Sequence, residues 1–267
     1  MKLYYETHGA GAAVVLIPGF ASGAWSWFRQ IAELSKHFRV VTFDPPGVSR
    51  SRIADDATVS IATIADDVAN LLDDLKIEKA SAIGVSFGGF VAQEFAFRHP
   101  NKLDRLILAA TSFGGKNHVA PALEVLLSFA STDDLNSLAR IRKLMIPAFT
   151  PGFIEQHFDQ VDQVCALREQ NPVLETVYQA QLQSATQFDA ESRAALITAP
   201  TLVLTGEKDL VVPPPNAVNL ARAIPNARLE IVKGGGHLFF IEKANEFNRI
   251  VVDFLRTAEP RPVTAGA

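Results

Sequence analysis

The chain has 267 residues, 48% of them hydrophobic and 20% charged. That length and apolar fraction predict one large α/β domain, or one domain carrying an insertion, and exclude intrinsic disorder. Lys+Arg 25 against Asp+Glu 29 gives a net charge of −4 with no basic cluster, which argues against nucleic-acid binding; the single cysteine, Cys165, excludes an internal disulfide framework and any CxxC metal or redox site.

Up to about residue 111, short β-rich runs alternate with helical segments. Residues 2–6 alternate like a half-exposed strand, and 14–17 form a continuous apolar run closed by Pro18-Gly19, as a buried parallel strand is. Residues 25–34 read as a helix with Ser22 as its N-cap, and Arg39–Phe43 as the next strand, ended by Asp44-Pro45-Pro46-Gly47. Apolar residues at three- and four-residue spacing predict a helix over 61–75. A strand over 81–85, a helix over Phe87–Arg98 and a strand over Leu103–Ala109 follow. Such alternation predicts βαβ units and a doubly wound, mostly parallel sheet of about seven strands.

From about 112 to 196 the strands stop. Four helical segments are expected near 121–130, 134–145, 153–168 and 172–185, with Asp133, Thr150 and Asn171 at N-cap positions. The βα rhythm then resumes: strand 201–205, helix Pro215–Ala223, strand 228–232, helix 242–256. The expected division is therefore an α/β core, 1–111 and 197–257, an all-helical insertion, 112–196, and a flexible tail, 258–267. The N-terminus lacks the apolar run of a signal peptide, and no run reaches the ~18 apolar residues of a membrane span. The expectation is a cytoplasmic protein with no membrane partner.

Gly84-Val85-Ser86-Phe87-Gly88 matches G-x-S-x-G, beginning in a strand with a helix directly after it. In that context a serine sits on a sharp strand-to-helix turn with its Oγ exposed, and a Cβ at Gly84 or Gly88 collides across the turn. The bland alternative is a small-residue packing turn. A serine hydroxyl is a poor nucleophile without a base, and the base needs an orienting acid. Asp209 follows the 201–205 strand, and His237, in Gly234-Gly235-Gly236-His237, follows the 228–232 strand. Loops leaving the carboxyl ends of parallel strands share one edge, so Ser86, Asp209 and His237 emerge together. Glu207 is a rival acid, with Asp209 preferred because Glu207 sits closer to the strand end; Asp209 also suits an Asx turn. The remaining histidines, His8, His37, His99, His118 and His157, read as structural, with His118 and His157 open to lining a pocket. Gly9-Ala10-Gly11 and Gly114-Gly115-Lys116 lack the rest of a nucleotide-binding motif, and no metal-ligand cluster is present.

These residues resemble the α/β-hydrolase superfamily along almost the whole chain. Ser86, Asp209 and His237 match its triad in order, residues 90–100 resemble the helix after its nucleophile, and 103–111 the next strand, after which many members insert a helical cap. The resemblance implies an oxyanion hole from the backbone N–H groups of Phe20 and Phe87, with Pro18 standing where the family often has His. It implies no cofactor and no metal. In the family's D-x-R-G-x-G-x-S stretch this chain has Pro46 for the Arg and Ser49 for a Gly, and the resemblance leads to the expectation of a sheet without the family's first, edge strand. The implied activity is hydrolysis of a small-molecule carboxylic ester, of apolar, small to medium acyl chain, by a serine hydrolase acting as monomer or homodimer. The alternatives of the same fold are an enol-lactonase, a C–C bond hydrolase or a cofactor-free perhydrolase; the non-enzyme alternative is a hydrolase-like ligand receptor with poor turnover. An ester is preferred over an anionic lactone because Phe20, Phe87 and Phe239 flank the catalytic positions, apolar stripes (Leu123, Leu126, Leu127, Ala130 and Leu135, Leu138, Ile141, Met145) pack or roof the site, and only Arg140, Arg142 and Lys143 of the cap offer cations.

Overall fold

The computed structural model describes residues 3–54, 58–129 and 134–257. Its strands are β1 Tyr5–His8, β2 Ala13–Ile17, β3 Arg39–Phe43, β4 Ala80–Val85, β5 Leu103–Ala109, β6 Thr201–Gly206 and β7 Ala227–Val232. They form one sheet in the order β1-β3-β2-β4-β5-β6-β7. Only β1 runs antiparallel, against β3; every other pairing is parallel. The helices are α1 Ile31–Leu34, α2 Ile61–Asp74, α3 Phe87–Arg98, α4 Leu123–Phe129, α5 Leu138–Met145, α6 Pro151–Gln156, α7 Phe158–Gln170, α8 Glu175–Gln187, α9 Pro215–Ala223, α10 Phe239–Glu242 and α11 Ala244–Arg256. None of the described helices is long and apolar enough to cross a membrane.

The period of two along each strand divides the core between the two faces of the sheet. Val15 and Ile17 pack with Ile64, Val68, Leu72 and Phe95 of α2 and α3. Val14 and Leu16 point the other way, onto Trp27, Leu34, Phe247 and Val251. Each such side chain contributes about 1.5–3 kcal/mol by leaving water. Every residue of β4 and of β6 is buried, as central strands covered on both faces must be. α2 is opened by a reciprocal cap: Ser60 Oγ accepts from Thr63 N at 3.1 Å, and Thr63 Oγ1 accepts from Ser60 N at 2.9 Å.

Several local expectations shift where tertiary partners decide. The first strand is Tyr5–His8 instead of 2–6, because its ladder is set by β3, from Tyr5 opposite Phe43 to His8 opposite Val40; Lys2 lies outside the described residues. The helix expected over 25–34 is a 3₁₀ turn, Ala24–Trp27, followed by the single-turn α1. Ser22 does not cap it: the Ser22 hydroxyl donates to Phe20 O, and Asp44 Oδ1 accepts from Ala24 N at 2.8 Å. Trp25, Trp27 and Phe28 are poor α-helix formers, and Trp27 is fixed instead against Phe240. The final helix, expected over 242–256, is α11 and begins at Ala244; Lys243 separates it from the one-turn α10, which has no counterpart in that expectation.

Between β5 and β6 the described residues form helices and only isolated bridges, Gly114 to Asp189 within the segment and Val48 to Val173 linking it to the core. The helix expected over 153–168 is broken at His157, φ −140° and ψ 42°, into α6 and α7. Thr150 caps α6 with Pro151 at its first position, as its sequence predicts. Asn171 is no N-cap. Its Nδ2 donates to Leu167 O at 2.7 Å, closing α7, and α8 begins at Glu175. Ser137 caps α5, while Asp133, Ala130 and the tail 258–267 lie outside the described residues. The stripe expected to pack α4 faces outward instead: Leu123 is 71% and Leu127 63% exposed, and Val125 and Ser128 turn inward. Ile141 of the second stripe is buried as expected.

Candidate active site

β4 ends in the turn that carries Ser86. Its backbone, φ 54° and ψ −119°, lies in a region costly for any residue with a Cβ, and such strain persists only where surroundings over-determine it. Three bonds hold the peptide there: Ser86 N donates to Ala109 O, and Ser86 O accepts from Gly89 N and from Thr111 Oγ1. A Cβ on Gly88 would stand 2.3 Å from Ile17 O, and one on Gly84 2.2 Å from Gly88 O. These two glycines let α3 start against the ends of β2 and β4. Phe87 opens α3, so its N–H has no intrahelical carbonyl and lies at the positive end of the helix. Gly19, beside Phe20, is within van der Waals reach of Ser86: a Cβ there would lie 3.7 Å from Ser86 Cβ.

The loops after β6 and β7 meet backbone to backbone. A side chain on Gly206 would strike Gly236 O at 2.2 Å, and Lys208 N donates to Gly235 O at 2.8 Å. This contact brings Asp209 to His237. Asp209, 2% exposed, forms the Asx turn and the histidine pair together. Its Oδ1 accepts from Val211 N at 2.9 Å and Val212 N at 2.8 Å, and its Oδ2 from His237 Nδ1 at 2.9 Å. With Nδ1–H spent on the carboxylate, Nε2 is left as the basic nitrogen of the ring. Glu207, the rival acid, is exposed and accepts from Gly234 N at 2.8 Å, away from the imidazole. The histidine loop has a second anchor missed in the sequence. Glu242 accepts from Gly236 N at 2.7 Å and from Thr150 N at 2.6 Å, and Leu238 N donates to Ala148 O at 3.0 Å, tying the loop to the helical insertion.

Ser86 and His237 border one cavity of about 120 Å³. Gly19 and Phe20 form part of its wall, and Val125, Ile141, Leu144, Met145, Ala148 and Val164 of the insertion form its roof. The Phe87 and Phe239 rings do not line it. Phe239 is buried in the core, and Phe240 takes the wall position, about 100° further round the one-turn α10. Nor do Arg140, Arg142 and Lys143. Arg140 is buried, Arg142 pairs with Asp162 at the surface, and Lys143 is exposed. The cation on the cavity is Arg168, 7% exposed. The signal was present: Val161, Val164 and Cys165 form the buried stripe of α7, and Arg168 continues it at the same spacing. Cys165 is no second nucleophile, since burial pushes its thiol up to about 11. His118 and His157 lie away from this cavity, His118 near Ser112 and His157 against the Phe153 ring.

Pro46 carries no guanidinium, but Arg50 brings one to this turn. Arg50 Nε donates to the buried Asp44 carboxylate at 2.8 Å, with Tyr4 under its plane at 3.6 Å. Asp44 in turn holds the 3₁₀ turn beside the cavity through Ala24 N. Among the described residues no cluster of His, Cys, Asp and Glu suits a metal ion.

Comparison with known proteins agrees with this architecture. The alpha/beta hydrolase fold family model matches residues 12–244. The chain is 31% identical over 259 residues to a putative carbamate hydrolase RutD of Variovorax paradoxus, covering 96% of each chain. It is 29% identical to the 2-hydroxy-6-oxo-6-phenylhexa-2,4-dienoate hydrolase of Comamonas testosteroni, covering 95% of this chain and 91% of that one. The enol-lactonase of Burkholderia xenovorans superposes with a TM-score of 0.81 at 28% identity over 96% of both chains. The chain, with its sheet order, its strand-to-helix serine and its two carboxyl-edge loops, belongs to the alpha/beta hydrolase fold family.

Proposed function

We propose that the protein is a serine hydrolase that cleaves a carboxylic ester, open-chain or cyclic, through an acyl-enzyme, with residues 112–196 serving as a cap over the site. The observation that carries this reading is one cavity bordered by Ser86, at φ 54°, and by His237, whose Nδ1 is bound to the buried Asp209. His237 Nε2 takes the proton of Ser86 Oγ as Oγ bonds to the substrate carbonyl carbon. The oxyanion is received by the N–H groups of Phe20 and Phe87, a stabilisation worth roughly 3–4 kcal/mol per donor. The imidazolium passes its proton to the leaving alkoxide as the C–O bond breaks. Water, deprotonated by His237, then attacks the acyl carbon, and Ser86 leaves with the returned proton. Asp209 stays ionised throughout, holding the tautomer and stabilising the imidazolium.

The relatives' names set the competing readings: a carbamate or a C–C bond as the bond cleaved. A panel of p-nitrophenyl esters from acetate to decanoate tests the proposal. Many turnovers per minute on an ester support it; near-stoichiometric acylation without turnover favours a ligand receptor. Inertness to every ester, with cleavage of a dienoate or a carbamate, replaces the ester by that bond.

A further inference from the structure

β2 ends in a loop that carries Phe20 to the cavity wall. Ser22 N donates to Gly19 O at 3.2 Å, closing a four-residue turn over Phe20 and Ala21. Of these two central residues only Ala21 has a positive φ, 49°. That is the pattern of a type II turn, whose third residue is ordinarily glycine because a Cβ is strained there. With alanine in that place, bonds beyond the turn's own must hold it, and the Phe20–Ala21 peptide is gripped at both ends. Ser22 Oγ donates to Phe20 O at 3.2 Å, and Gln181 Oε1 accepts from Ala21 N at 2.7 Å. Gln181 is 1% exposed and lies on α8 of the insertion, 160 residues further along the chain. Tyr178, one turn earlier on α8, sets its ring edge-on to that of Phe20 with centroids 4.7 Å apart. α8 is itself fixed to the core: Leu174 N donates to Gly47 O at 3.1 Å, and Ser184 Oγ accepts from Ile61 N at 3.2 Å.

We propose that Gln181 is a positioning residue for the oxyanion hole: by accepting from Ala21 N it fixes the turn that presents Phe20 N–H beside Ser86. This rests on the serine-hydrolase reading of the cavity and adds a residue on which the reaction depends without contact to substrate, since Gln181 does not line the cavity. A peptide plane turns over by opposed rotation of the ψ before it and the φ after it. For Phe20–Ala21 that rotation relieves the positive φ of Ala21, and the bond to Gln181 is what it would break. Phe20 bears both the carbonyl of this peptide and the N–H of the one before, so a turn that loosens at Ala21 loosens at the donor. An oxyanion donor acts only when held within hydrogen-bond distance of where the charge develops, and misplacement by about 1 Å removes most of its effect. The insertion thus supplies one of the two supports of the hole, while the other donor, Phe87 N–H, is set by α3 alone.

The test compares the natural chain with Gln181→Met, which keeps the length of the side chain and loses the acceptor. On p-nitrophenyl butyrate, kcat is expected to fall between about tenfold and a hundredfold, with KM within about twofold. The second probe is trifluoromethyl butyl ketone. Ser86 Oγ bonds to its carbonyl carbon, the carbonyl π pair becomes an oxyanion in the hole, and the Oγ proton passes to His237. Its affinity is expected to weaken by the same factor as kcat, while the pH dependence of kcat/KM stays, because Asp209 and His237 are untouched. In an Ala21→Gly background the positive φ carries no strain, and Gln181→Met is there expected to cost about threefold or less. An unchanged kcat overturns the proposal, as does a rise in KM alone, a fall in kcat without loss of ketone affinity, or an equal cost in the two backgrounds. Gln181→Asn, one methylene too short to reach Ala21 N, is read in the same way should Gln181→Met fail to fold. A natural chain that forms the ketone adduct but turns over no ester refutes the hydrolase reading, and the two ketone affinities then decide the role of Gln181; a natural chain inert to both probes refutes the two together.

Discussion

The carboxyl edge of the sheet and the roof above it bury charge in opposite ways. At the edge, Asp209 is enclosed with every oxygen engaged, two backbone donors on Oδ1 and the imidazole on Oδ2. In the roof, Arg168 is nearly as enclosed, and its Nη1 meets nothing that accepts. The edge is also made of short loops locked by backbone contact, Gly206 on Gly236 and Gly88 on Ile17, whereas the roof is made of short helices joined by breaks at His157 and Asn171. A fully partnered site is organised before substrate arrives, and its geometry depends little on what binds. The roof, with a buried donor left over, lacks that completeness.

The sharpest way to break this contrast is at the edge. Ser86→Ala should lower kcat by about 10⁶ if the edge supplies the nucleophile, measured on the best ester of the panel; an activity within tenfold of the natural chain would place the chemistry elsewhere. Asp209→Asn should cost about 10⁴ in kcat, because the carboxylate holds the tautomer, whereas Glu207→Gln should cost far less. Reversed effects would exchange the two acids. In the roof, each CH₂ moved from water to apolar surface is worth about 0.8 kcal/mol, so lengthening the acyl chain from two to six carbons should raise kcat/KM by up to about a hundredfold. A flat profile from acetate to hexanoate would mean that Ile141, Leu144 and Met145 hold the insertion together without meeting substrate. Where roof and edge join, Glu242→Ala strips the acceptor from Gly236 N and Thr150 N. The loss of the charged bonds is expected to cost about 3 kcal/mol in urea unfolding, with kcat down about tenfold as the histidine loop loosens. Unchanged stability with unchanged kcat would show the two regions to be independent.

Much of the edge is legible without coordinates because it is built from local rules. G-x-S-x-G after a strand forces one kind of turn, and loops at the ends of parallel strands emerge together whatever their length. Most of the roof is not, because a helix in an insertion takes its phase from what it packs on. The leucines of α4 suggested an inward stripe, yet Val125 is the residue turned in and Leu123 and Leu127 face out. Residues 25–34 read as one helix, yet Asp44, from another strand end, holds a 3₁₀ turn at its start.

By itself, the sequence determined the alternation of strands and helices, the serine turn, the order of serine, acid and histidine, and the place of the insertion. All of these depend on steric limits and periodicities within a few residues. Only the tertiary structure decided that Asp209 and not Glu207 meets His237, that Arg50 pairs with the buried Asp44, and that Arg168, not Arg140, Arg142 or Lys143, borders the cavity. The physical reason is the same in each case. Which side of a helix or loop is buried is settled by surfaces that come from distant parts of the chain, and no pattern within one segment contains them.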